Sequence, residues 1–434
     1  MDTTTIAPVG HLLRASVSVP GSKSLTNRAL VVAALAEGST MLTNVLAADD
    51  TVRMVESLQE LGFSVNVGAS GAGTTGVDGL GGRIPVCGAR LDVGNAGTAA
   101  RFLVALTTLG SGDFVVDGSS RMRERPIGDL LDGLRQLGAA VECPTGCPPV
   151  RIQANGLAGG RAEIDGDTSS QFVSALLLVA PYARSPVEVV VGRPLSSKPY
   201  VDMTLAVMAD FGIEVARDEY RRFAVPCGRY RGRPVFEIES DASAASYFFA
   251  AAAIAGGTVR VEKISRGSRQ GDILFLDVLS AMGCRVEEGA GWVQVTGARE
   301  LRGVDVDLGD IPDTAQTLAA VAPFAGSPTT VRGIASARLK ECDRVSATCR
   351  ELSRLGVAVQ ERADGFVIQP CREMRAATIR TYDDHRMAMA FALVGLRVPG
   401  VTIENPSCVS KTFPRYFEVL DGLRVQQSLS AAEG

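Results

Sequence analysis

A pattern that recurs about every 72 residues constrains the fold of this chain more than any other feature. Helix-like segments that end at a glycine occur 71 to 76 residues apart, at Gly62, Gly138, Gly212, Gly283 and Gly356. Glycine suits the end of a helix because it adopts the left-handed conformation without steric cost. A weaker sixth copy, YFEVLDGLRV, lies near the C-terminus.

A second marker follows the same period. A polar or small residue opens a helix rich in Ala, Leu and Val in six places, at Asn27, Thr98, Ser170, Ser243, Thr314 and His385. These helices are apolar on nearly every side and should be buried, whereas the glycine-terminated helices have charged faces and should lie outside. The two markers predict six units, each consisting of strand, buried helix, strand, amphipathic helix and strand.

The length of 434 residues favours two or three domains rather than one core. Six units divide naturally into three and three, and the highly charged stretch from Ala216 to Ser240 falls between units three and four. We therefore place the main boundary near Ser240. Within each domain the buried helices should run parallel, so that their N-termini open at one end. Two such ends facing each other would form a cleft for a doubly anionic ligand.

Composition excludes several classes of protein. Apolar residues make up 46% of the chain and the net charge is −4, with both signs dispersed, so nucleic acid is not an expected partner. No signal-type apolar core and no apolar run of membrane-spanning length occurs, so we expect a cytoplasmic protein without a membrane partner. With two histidines and no second cysteine pair at ligand spacing, no metal site is predicted, and the nine cysteines should be reduced and mostly buried.

Polar residues gather at the predicted starts of the buried helices and beside them. At the starts lie Lys23, Ser24, Arg28, Asn95, Gly97, Thr98, Arg101, Ser169, Ser170, Gln171, Asp313, Asp384, His385 and Arg386. Flanking motifs add Arg125, Ser197, Tyr200, Arg338, Lys340, Glu341, Arg344 and Lys411. Seven of these are predicted to form an excess of cations in one cleft, suited to phosphate and carboxylate groups: Lys23, Arg28, Arg125, Lys340, Arg344, Arg386 and Lys411.

The stretch VPGSKSLTNR, from Val19 to Arg28, looks superficially like a nucleotide-phosphate loop. A Walker loop requires glycine directly before the lysine and a second glycine five residues earlier. Here Lys23 follows Ser22, and Ser16 lies five residues before Gly21. Nucleotide hydrolysis is therefore not favoured.

The ordered motifs resemble those of one enzyme family. From Val19 to Phe417 the chain reads PGSKSLTNRAL, GNAGTAARF, RMRERPIGDL, SSQFVSALL, SSKPYVDMT, DASAASYFFAAAA, QGDILFLDVL, IPDTAQTLA, RLKECDRV, TYDDHRMAMAFAL and KTFPRYF. This set resembles the 5-enolpyruvylshikimate-3-phosphate synthase family, the 3-phosphoshikimate 1-carboxyvinyltransferases of chorismate and aromatic amino acid biosynthesis.

The resemblance implies a two-domain α/β fold, an inside-out α/β barrel of six βαβαββ repeats with three repeats in each domain. It implies one domain of residues 21–240 and a second of residues 1–20 plus 241–434, with the active site in the interdomain cleft and with closure on substrate binding. It also implies a transferase that moves the enolpyruvyl group of phosphoenolpyruvate to the 5-hydroxyl of shikimate 3-phosphate, releases phosphate, and uses no metal or organic cofactor. We expect a monomer.

The resemblance also assigns roles to residues. As catalytic groups it implies Asp313 (base toward the 5-hydroxyl), Glu341 and Lys23 (proton handling at the methylene carbon) and His385. For phosphoenolpyruvate it implies Lys23, Asn95, Gly97, Arg125, Gln171, Arg344, Arg386 and Lys411. For shikimate 3-phosphate it implies Lys23, Ser24, Arg28, Ser169, Ser170, Gln171, Ser197, Tyr200, Asp313, Ser336 and Lys340.

Two positions depart from the family pattern. Ser336 stands where many members have an asparagine, and Phe102 stands where many bacterial members have a proline. Gly97 is retained, and in the family a small residue there leaves room for glyphosate, so glyphosate sensitivity is expected.

Three alternatives stay open at this point. A UDP-N-acetylglucosamine enolpyruvyl transferase shares the fold, but the corresponding loop here, from Gly110 to Pro126, contains no cysteine. A non-catalytic sugar-phosphate binding paralogue should have lost an acid or a base, yet Lys23, Asp313 and Glu341 are present. An enzyme acting on a shikimate-like cyclitol in secondary metabolism is kept open by Ser336.

Overall fold

The structure, a computed structural model, describes residues 2–68 and 73–424. Its strands within those residues are β1 (Thr3–Thr5), β2 (Leu13–Ser18), β3 (Glu37–Thr43), β4 (Ser64–Val67), β5 (Thr75–Leu80), β6 (Gly88–Asp92), β7 (Ser111–Asp117), β8 (Ala140–Glu142), β9 (Val150–Asn155), β10 (Gly160–Ile164), β11 (Val187–Val191), β12 (Ala216–Asp218), β13 (Arg222–Val225), β14 (Phe236–Glu237), β15 (Gly257–Glu262), β16 (Arg285–Gly289), β17 (Trp292–Thr296), β18 (Asp305–Asp307), β19 (Thr329–Arg332), β20 (Val359–Arg362), β21 (Gly365–Ile368), β22 (Thr378–Ile379) and β23 (Thr402–Glu404).

Twelve α-helices lie in the same described ranges. They are α1 (Lys23–Leu35), α2 (Asp49–Glu60), α3 (Gly97–Thr107), α4 (Gly128–Gln136), α5 (Ser170–Val179), α6 (Lys198–Asp210), α7 (Ala242–Ala255), α8 (Phe275–Ala281), α9 (Ala315–Val321), α10 (Arg344–Arg354), α11 (His385–Gly395) and α12 (Tyr416–Gly422). Short 3-10 helices that matter for the site are Met122–Glu124, Gly271–Leu274, Pro312–Thr314, Ala335–Leu339 and Pro406–Lys411. No helix among residues 2–68 and 73–424 is long and apolar enough to cross a membrane.

The repeat unit is one sheet with two helices. In one unit β6 pairs parallel with β7, β7 pairs antiparallel with β9, and β9 pairs antiparallel with β8, with α3 and α4 in the connections. The strand orders β10-β11-β13-β12 and β18-β19-β21-β20 repeat this arrangement. The pattern is therefore βαβαββ. Our five-element interpretation missed a strand after the amphipathic helix, because strands such as β8 and β12 are only three residues long and largely exposed.

Two compact units divide the chain, and we call Gly21–Glu239 the first unit and Met1–Pro20 with Ser240–Gly434 the second unit. In the first unit, β14 pairs parallel with β3 and so completes the sheet of the first repeat. In the second unit, β2 pairs parallel with β15 along six residues, and β1 pairs antiparallel with β23. Each unit thus closes a sheet with a strand distant in sequence.

The buried helices form the centre of each unit, as predicted. Every residue of α3, α7, α9 and α11 is buried, as is every residue of α1 from Leu25 onward. In the first unit α1, α3 and α5 pack against one another, and in the second unit α7, α9 and α11 do the same. The outer helices bury only one face, for example Leu130, Leu131 and Leu134 of α4.

Glycines close the outer helices, which confirms the first repeat marker. Their φ angles all lie in the left-handed region, at 87° for Gly62, 92° for Gly138, 91° for Gly212, 104° for Gly283 and 87° for Gly356. An alanine in this conformation would be strained, because its Cβ would crowd the following carbonyl. The repeating glycine is therefore a geometric requirement of each helix-to-strand turn.

The prediction that the cysteines are mostly buried is wrong. Cys284, Cys349 and Cys408 are buried, but Cys87 and Cys227 are exposed and the rest are half-buried. Cys87 and Cys227 lie in loops beside strands rather than on the buried helices. The expectation that cysteine is buried like other apolar residues therefore did not hold for them.

Candidate active site

Arg344 organises the polar end of the second unit. Its guanidinium lies 2.7 Å from Oδ2 of Asp384 through Nε, 3.0 Å from Oδ1 of Asp313 through one terminal nitrogen, and 2.7 Å from Oε2 of Glu341 through the other. Only 3% of the Arg344 side chain is exposed. The three surrounding carboxylates raise the pKa of Arg344 even though burial itself acts to lower it. Arg344 is thus a fixed cation that orients three acids.

Arg386 approaches Asp313 from the other side. One of its terminal nitrogens lies 2.7 Å from Oδ2 of Asp313 and 3.4 Å from Oγ of Ser243, and the other donates to the Tyr247 hydroxyl at 3.4 Å. Asp313 lies on the 3-10 helix that directly precedes α9, Ser243 is the second residue of α7, and Arg386 is the second residue of α11, so the N-termini of the three inner helices of this unit converge here. Each carboxylate oxygen of Asp313 therefore accepts a hydrogen bond from a different arginine, Oδ1 from Arg344 and Oδ2 from Arg386.

The turn before α11 has an unusual backbone. Tyr382 and Asp383 have φ angles of 54° and 56°, a conformation that costs side-chain-bearing residues roughly 1–2 kcal/mol each. The turn is held because Tyr382 donates its hydroxyl to Glu351 at 2.7 Å. Directly after it, Asp384 caps α11 by accepting the Arg386 N–H at 2.9 Å, and His385 is fully buried with Nδ1 3.5 Å from Oδ1 of Asp384. Backbone strain of this kind gathers at functional sites.

The remaining predicted residues of the second unit lie on short 3-10 helices. Lys411 ends Pro406–Lys411 and places its Nζ 3.7 Å from Oε1 of Glu341. Ser336 is buried within Ala335–Leu339, and half-buried Lys340 follows that turn directly. Since Ala335–Leu339 packs against Pro312–Thr314, Ser336 and Lys340 belong to the same neighbourhood as Asp313.

Lys23 is the first residue of α1 in the first unit. The Ser22 hydroxyl caps this helix by accepting the Leu25 N–H at 3.4 Å, and Nζ of Lys23 lies 3.2 Å from Oδ2 of Asp50. Asp50 stands at the start of α2 and its side chain is 3% exposed. A buried carboxylate thus holds Lys23 at the helix start, where the partial positive charge favours anions.

Arg28 is 1% exposed and is held entirely by neutral groups. Its guanidinium donates to Oγ1 of Thr204 at 2.7 Å and to the carbonyl oxygens of Ser24 and Tyr200, both at 2.9 Å. It also lies 5.3 Å from the centre of the Phe102 ring. No carboxylate in residues 2–68 and 73–424 forms an ion pair with it, and burial lowers its pKa to about 10. A buried cation without a counter-charge is suited to an anionic ligand.

The start of α3 lies against Arg125. A Cβ added at Gly97 would come within 2.5 Å of one terminal nitrogen of Arg125 and 2.8 Å of its central guanidinium carbon. The same guanidinium donates to the Asn95 carbonyl at 3.4 Å. Arg101 ties this region together, because it donates to the carbonyl oxygens of Gly97 at 3.2 Å and Pro126 at 2.8 Å. Gly97 is therefore small because a cation occupies the space beside it.

The predicted serines lie at the starts of α5 and α6. Ser169 caps α5 by accepting the Gln171 N–H at 3.3 Å, and the Gln171 side chain donates to Oγ1 of Thr98 at 3.2 Å, which joins α5 to α3. Ser170 is buried at the first position of α5. Ser197 precedes α6 with a φ angle of 55°, a second case of a strained residue at a helix start.

Four of the seven predicted cations are paired with carboxylates in the structure. Arg344, Arg386 and Lys411 each face a carboxylate, and Lys23 faces Asp50. Buried cations are stable only when paired or hydrogen-bonded. Of the acids that pair with them, Asp313, Glu341 and Asp384 were among the predicted site residues, whereas Asp50 was not. Sequence reasoning assigned no role in the site to Asp50, Ser243, Tyr247 and Asp272, although the motifs NVLAADD, DASAASY and QGDILF contain them.

Comparisons with known proteins show the family to which this chain belongs. Residues 9–420 match the EPSP synthase (3-phosphoshikimate 1-carboxyvinyltransferase) family. The chain is 47% identical to the 3-phosphoshikimate 1-carboxyvinyltransferase of a Nostoc species, over 96% of this chain and 98% of that protein. It is 48% identical to that of Serratia proteamaculans, over 97% of this chain and 98% of that protein. An EPSP synthase structure from Acinetobacter baumannii superposes with a TM-score of 0.81 at 26% identity, covering 98% of both chains. The chain belongs to the EPSP synthase family.

Proposed function

We propose that this protein transfers the enolpyruvyl group of phosphoenolpyruvate to the 5-hydroxyl of shikimate 3-phosphate and releases phosphate. The observation that carries this proposal is that one buried guanidinium, Arg344, holds both Asp313 and Glu341, while Arg386 and Lys411 lie against the same two acids. The family supplies the identity of the two substrates.

The reaction is an addition followed by an elimination. The 5-oxygen forms a bond to C2 of phosphoenolpyruvate, its proton leaves to a base, and C3 gains a proton to become a methyl group. Phosphate then departs from C2 with its bonding electrons, and C3 loses a proton to restore the double bond. The protein must therefore provide a base near the 5-hydroxyl, a proton donor and acceptor near C3, and cations for the phosphate and carboxylate groups.

Asp313 is the proposed base. Both of its oxygens accept hydrogen bonds from guanidiniums, yet 17% of its side chain is exposed, so one face is accessible to a hydroxyl. The flanking guanidiniums orient the carboxylate before the substrate arrives.

Glu341 and Lys23 are proposed to handle the proton at C3, with His385 nearby as an auxiliary group. Glu341 is 8% exposed and contacts Lys411 at 3.7 Å, which places an acid and an ammonium together. Lys23 belongs to the first unit, so we propose that residues of both units act on one pair of substrates.

Anion binding is proposed to be divided between two groups of residues. Shikimate 3-phosphate is bound by Lys23, Ser24, Arg28, Ser169, Ser170, Gln171, Ser197, Tyr200, Asp313, Ser336 and Lys340. Phosphoenolpyruvate is bound by Lys23, Asn95, Gly97, Arg125, Gln171, Arg344, Arg386 and Lys411. Arg28 supports this division most strongly, because its buried guanidinium has no protein carboxylate among the described residues and matches the ring carboxylate of shikimate 3-phosphate. We further propose that the protein works as a cytoplasmic monomer without a cofactor and that glyphosate inhibits it.

The test is a phosphate-release assay on the purified full-length chain with phosphoenolpyruvate and either shikimate 3-phosphate or UDP-N-acetylglucosamine. Release that requires shikimate 3-phosphate is expected. Release with UDP-N-acetylglucosamine instead, or no release with either acceptor, would refute the proposal. An unchanged rate under millimolar glyphosate would refute the inhibition alone.

A further inference from the structure

A buried carboxyl group that is not among the predicted site residues is connected to Arg386 through a serine hydroxyl. Asp272 stands on the 3-10 helix Gly271–Leu274 and is 4% exposed. Its Oδ2 accepts a hydrogen bond from the hydroxyl of Ser243, the second residue of α7. The same serine oxygen accepts from a terminal nitrogen of Arg386 at 3.4 Å. Arg386, Ser243 and Asp272 thus form one hydrogen-bonded chain that begins at a proposed phosphoenolpyruvate ligand.

The direction of these hydrogen bonds has a consequence for Arg386. A hydroxyl has one proton and two lone pairs. While the Ser243 proton points to Asp272, the serine oxygen presents lone pairs to Arg386 and helps to fix the guanidinium. That guanidinium nitrogen also donates to Asp313 at 2.7 Å, so Asp313 and the Ser243–Asp272 pair act on Arg386 together.

We propose that Asp272 is a positioning residue for the reaction: through the Ser243 hydroxyl it holds the Arg386 guanidinium in the orientation that binds phosphoenolpyruvate. This inference rests on the proposed function, because it assumes that Arg386 binds that substrate.

The charged groups around Asp272 make its ionisation sensitive to pH. Burial raises the pKa of Asp272 to about 6, and the charges of Asp313 and Asp241 add to the rise, whereas Arg386 and the Ser243 hydrogen bond oppose it. A protonated Asp272 can donate to the serine oxygen, so the Ser243 proton turns away from Asp272 and the lone pair that accepts from Arg386 is no longer fixed. Binding of phosphoenolpyruvate should therefore weaken as the pH falls through about 6.

The first test compares the KM for phosphoenolpyruvate in the wild type and in Asp272→Asn at about pH 5.5 and about pH 7.5. Asparagine can still accept the Ser243 proton but does not titrate, so the two KM values should be similar at the higher pH. On lowering the pH, the wild-type KM should rise about threefold more than that of Asp272→Asn. This is the effect expected when Asp272 is protonated in most wild-type molecules and Arg386 loses one hydrogen bond in them. Equal pH dependence of the two proteins would overturn the proposal.

Ser243→Ala supplies a second variant that leaves Asp272 in place. It should raise the KM for phosphoenolpyruvate roughly three- to tenfold at about pH 7.5 with a smaller change in kcat, because it removes one long hydrogen bond, of 3.4 Å, to Arg386. Asp277→Asn is the matched control, since Asp277 lies on the next helix, is exposed and pairs with Arg266 at the surface. An unchanged KM in Ser243→Ala, or a rise of the same size in Asp277→Asn, would also overturn the proposal.

A stability measurement tests the ionisation of Asp272 without any assay of activity. Because the folded-state pKa of Asp272 lies above that of an unfolded chain, its contribution to stability is present at low pH and is lost as the pH rises through about 6. Asp272→Asn should therefore raise the melting temperature relative to the wild type more at about pH 7.5 than at about pH 5. If the wild type turns over no shikimate 3-phosphate, the proposed function fails; if it does and the pH profiles coincide, the positioning role alone fails.

Discussion

Arg344 shows how one residue can fix the state of several others. It contacts Asp313, Glu341 and Asp384, which begin or flank three different helices. A single buried cation in this position keeps two proposed catalytic acids at fixed separation and supplies charge that need not rearrange during the reaction.

Asp313 should be required for turnover more than for binding. In Asp313→Asn the side chain keeps its shape but can no longer accept the 5-hydroxyl proton, so kcat should fall by roughly 10²- to 10⁴-fold. The dissociation constant of shikimate 3-phosphate, measured by calorimetry, should change by less than about tenfold, because Arg344 keeps its pairs with Glu341 and Asp384. Near-normal kcat would remove Asp313 from the role of base.

Arg28 should determine affinity for shikimate 3-phosphate. Arg28→Lys cannot reproduce the fork of hydrogen bonds to Thr204, Ser24 and Tyr200, so affinity should fall roughly 10- to 100-fold. The shift in melting temperature caused by this substrate should shrink in parallel. Arg229→Lys is the matched control, because Arg229 makes an exposed ion pair with Glu37 on the same unit. Equal affinities in the two variants would contradict this assignment.

At the scale of the element, four of the six inner helices, α1, α5, α7 and α11, begin at a side-chain cap: Ser22, Ser169, Asp241 and Asp384 respectively. In α1, α5 and α11 the cap is followed directly or within two residues by proposed ligands, namely Lys23, Ser170 and Arg386. The capping group satisfies the first N–H groups, so the backbone is rigid where the ligand must be oriented.

The start of α3 gives a prediction with a close control inside the same chain. Gly97→Ala adds a Cβ that would lie 2.5 Å from the Arg125 guanidinium, so the guanidinium must move and the KM for phosphoenolpyruvate should rise by about tenfold, the effect of losing a well-placed charged contact. Gly128 is also the first residue of a helix, and nothing lies within 4 Å of the Cβ that an alanine would add there. Gly128→Ala should therefore leave the KM unchanged. Equal effects of the two substitutions would show that the position of Arg125 is not the cause.

How much of each element could be predicted from sequence depended on whether its signal was local. The glycine stops and the apolar helices repeat within the chain and were predicted correctly. Of the two strands that follow an outer helix, only one was predicted, because strands such as β8 and β12 are only three residues long. Asp272 was missed because its partner Ser243 is 29 residues away and neither residue is distinctive alone.

At the scale of the whole molecule, the second unit is built from two separate parts of the chain, and the first unit lies between them in sequence. The strands β1 and β2 belong to sheets of the second unit, while β14 closes a sheet of the first. The chain passes from one unit to the other at two places, where Asp241 donates its N–H to the Pro20 carbonyl at 2.8 Å and Ser22 donates to the Glu239 carbonyl at 2.8 Å.

This arrangement predicts how fragments should fold. Residues 240–434 alone lack β2, so the edge of β15 and the apolar surface that Leu13, Ala15 and Val17 cover would be exposed. Joining residues 1–20 to residue 240 by a short glycine linker should restore cooperative thermal unfolding, measured by circular dichroism. Equal folding of the two fragments would contradict the role assigned to β2.

The central claim is that this chain catalyses enolpyruvyl transfer by addition and elimination. The most direct measurement is to incubate the enzyme with phosphoenolpyruvate and shikimate 3-phosphate in deuterated water and to follow both substrates by proton and phosphorus NMR. The account predicts equal amounts of phosphate and enolpyruvyl ether, with deuterium in the vinyl group, because C3 passes through a methyl group. Phosphate release without the ether, or an ether free of deuterium, would contradict it.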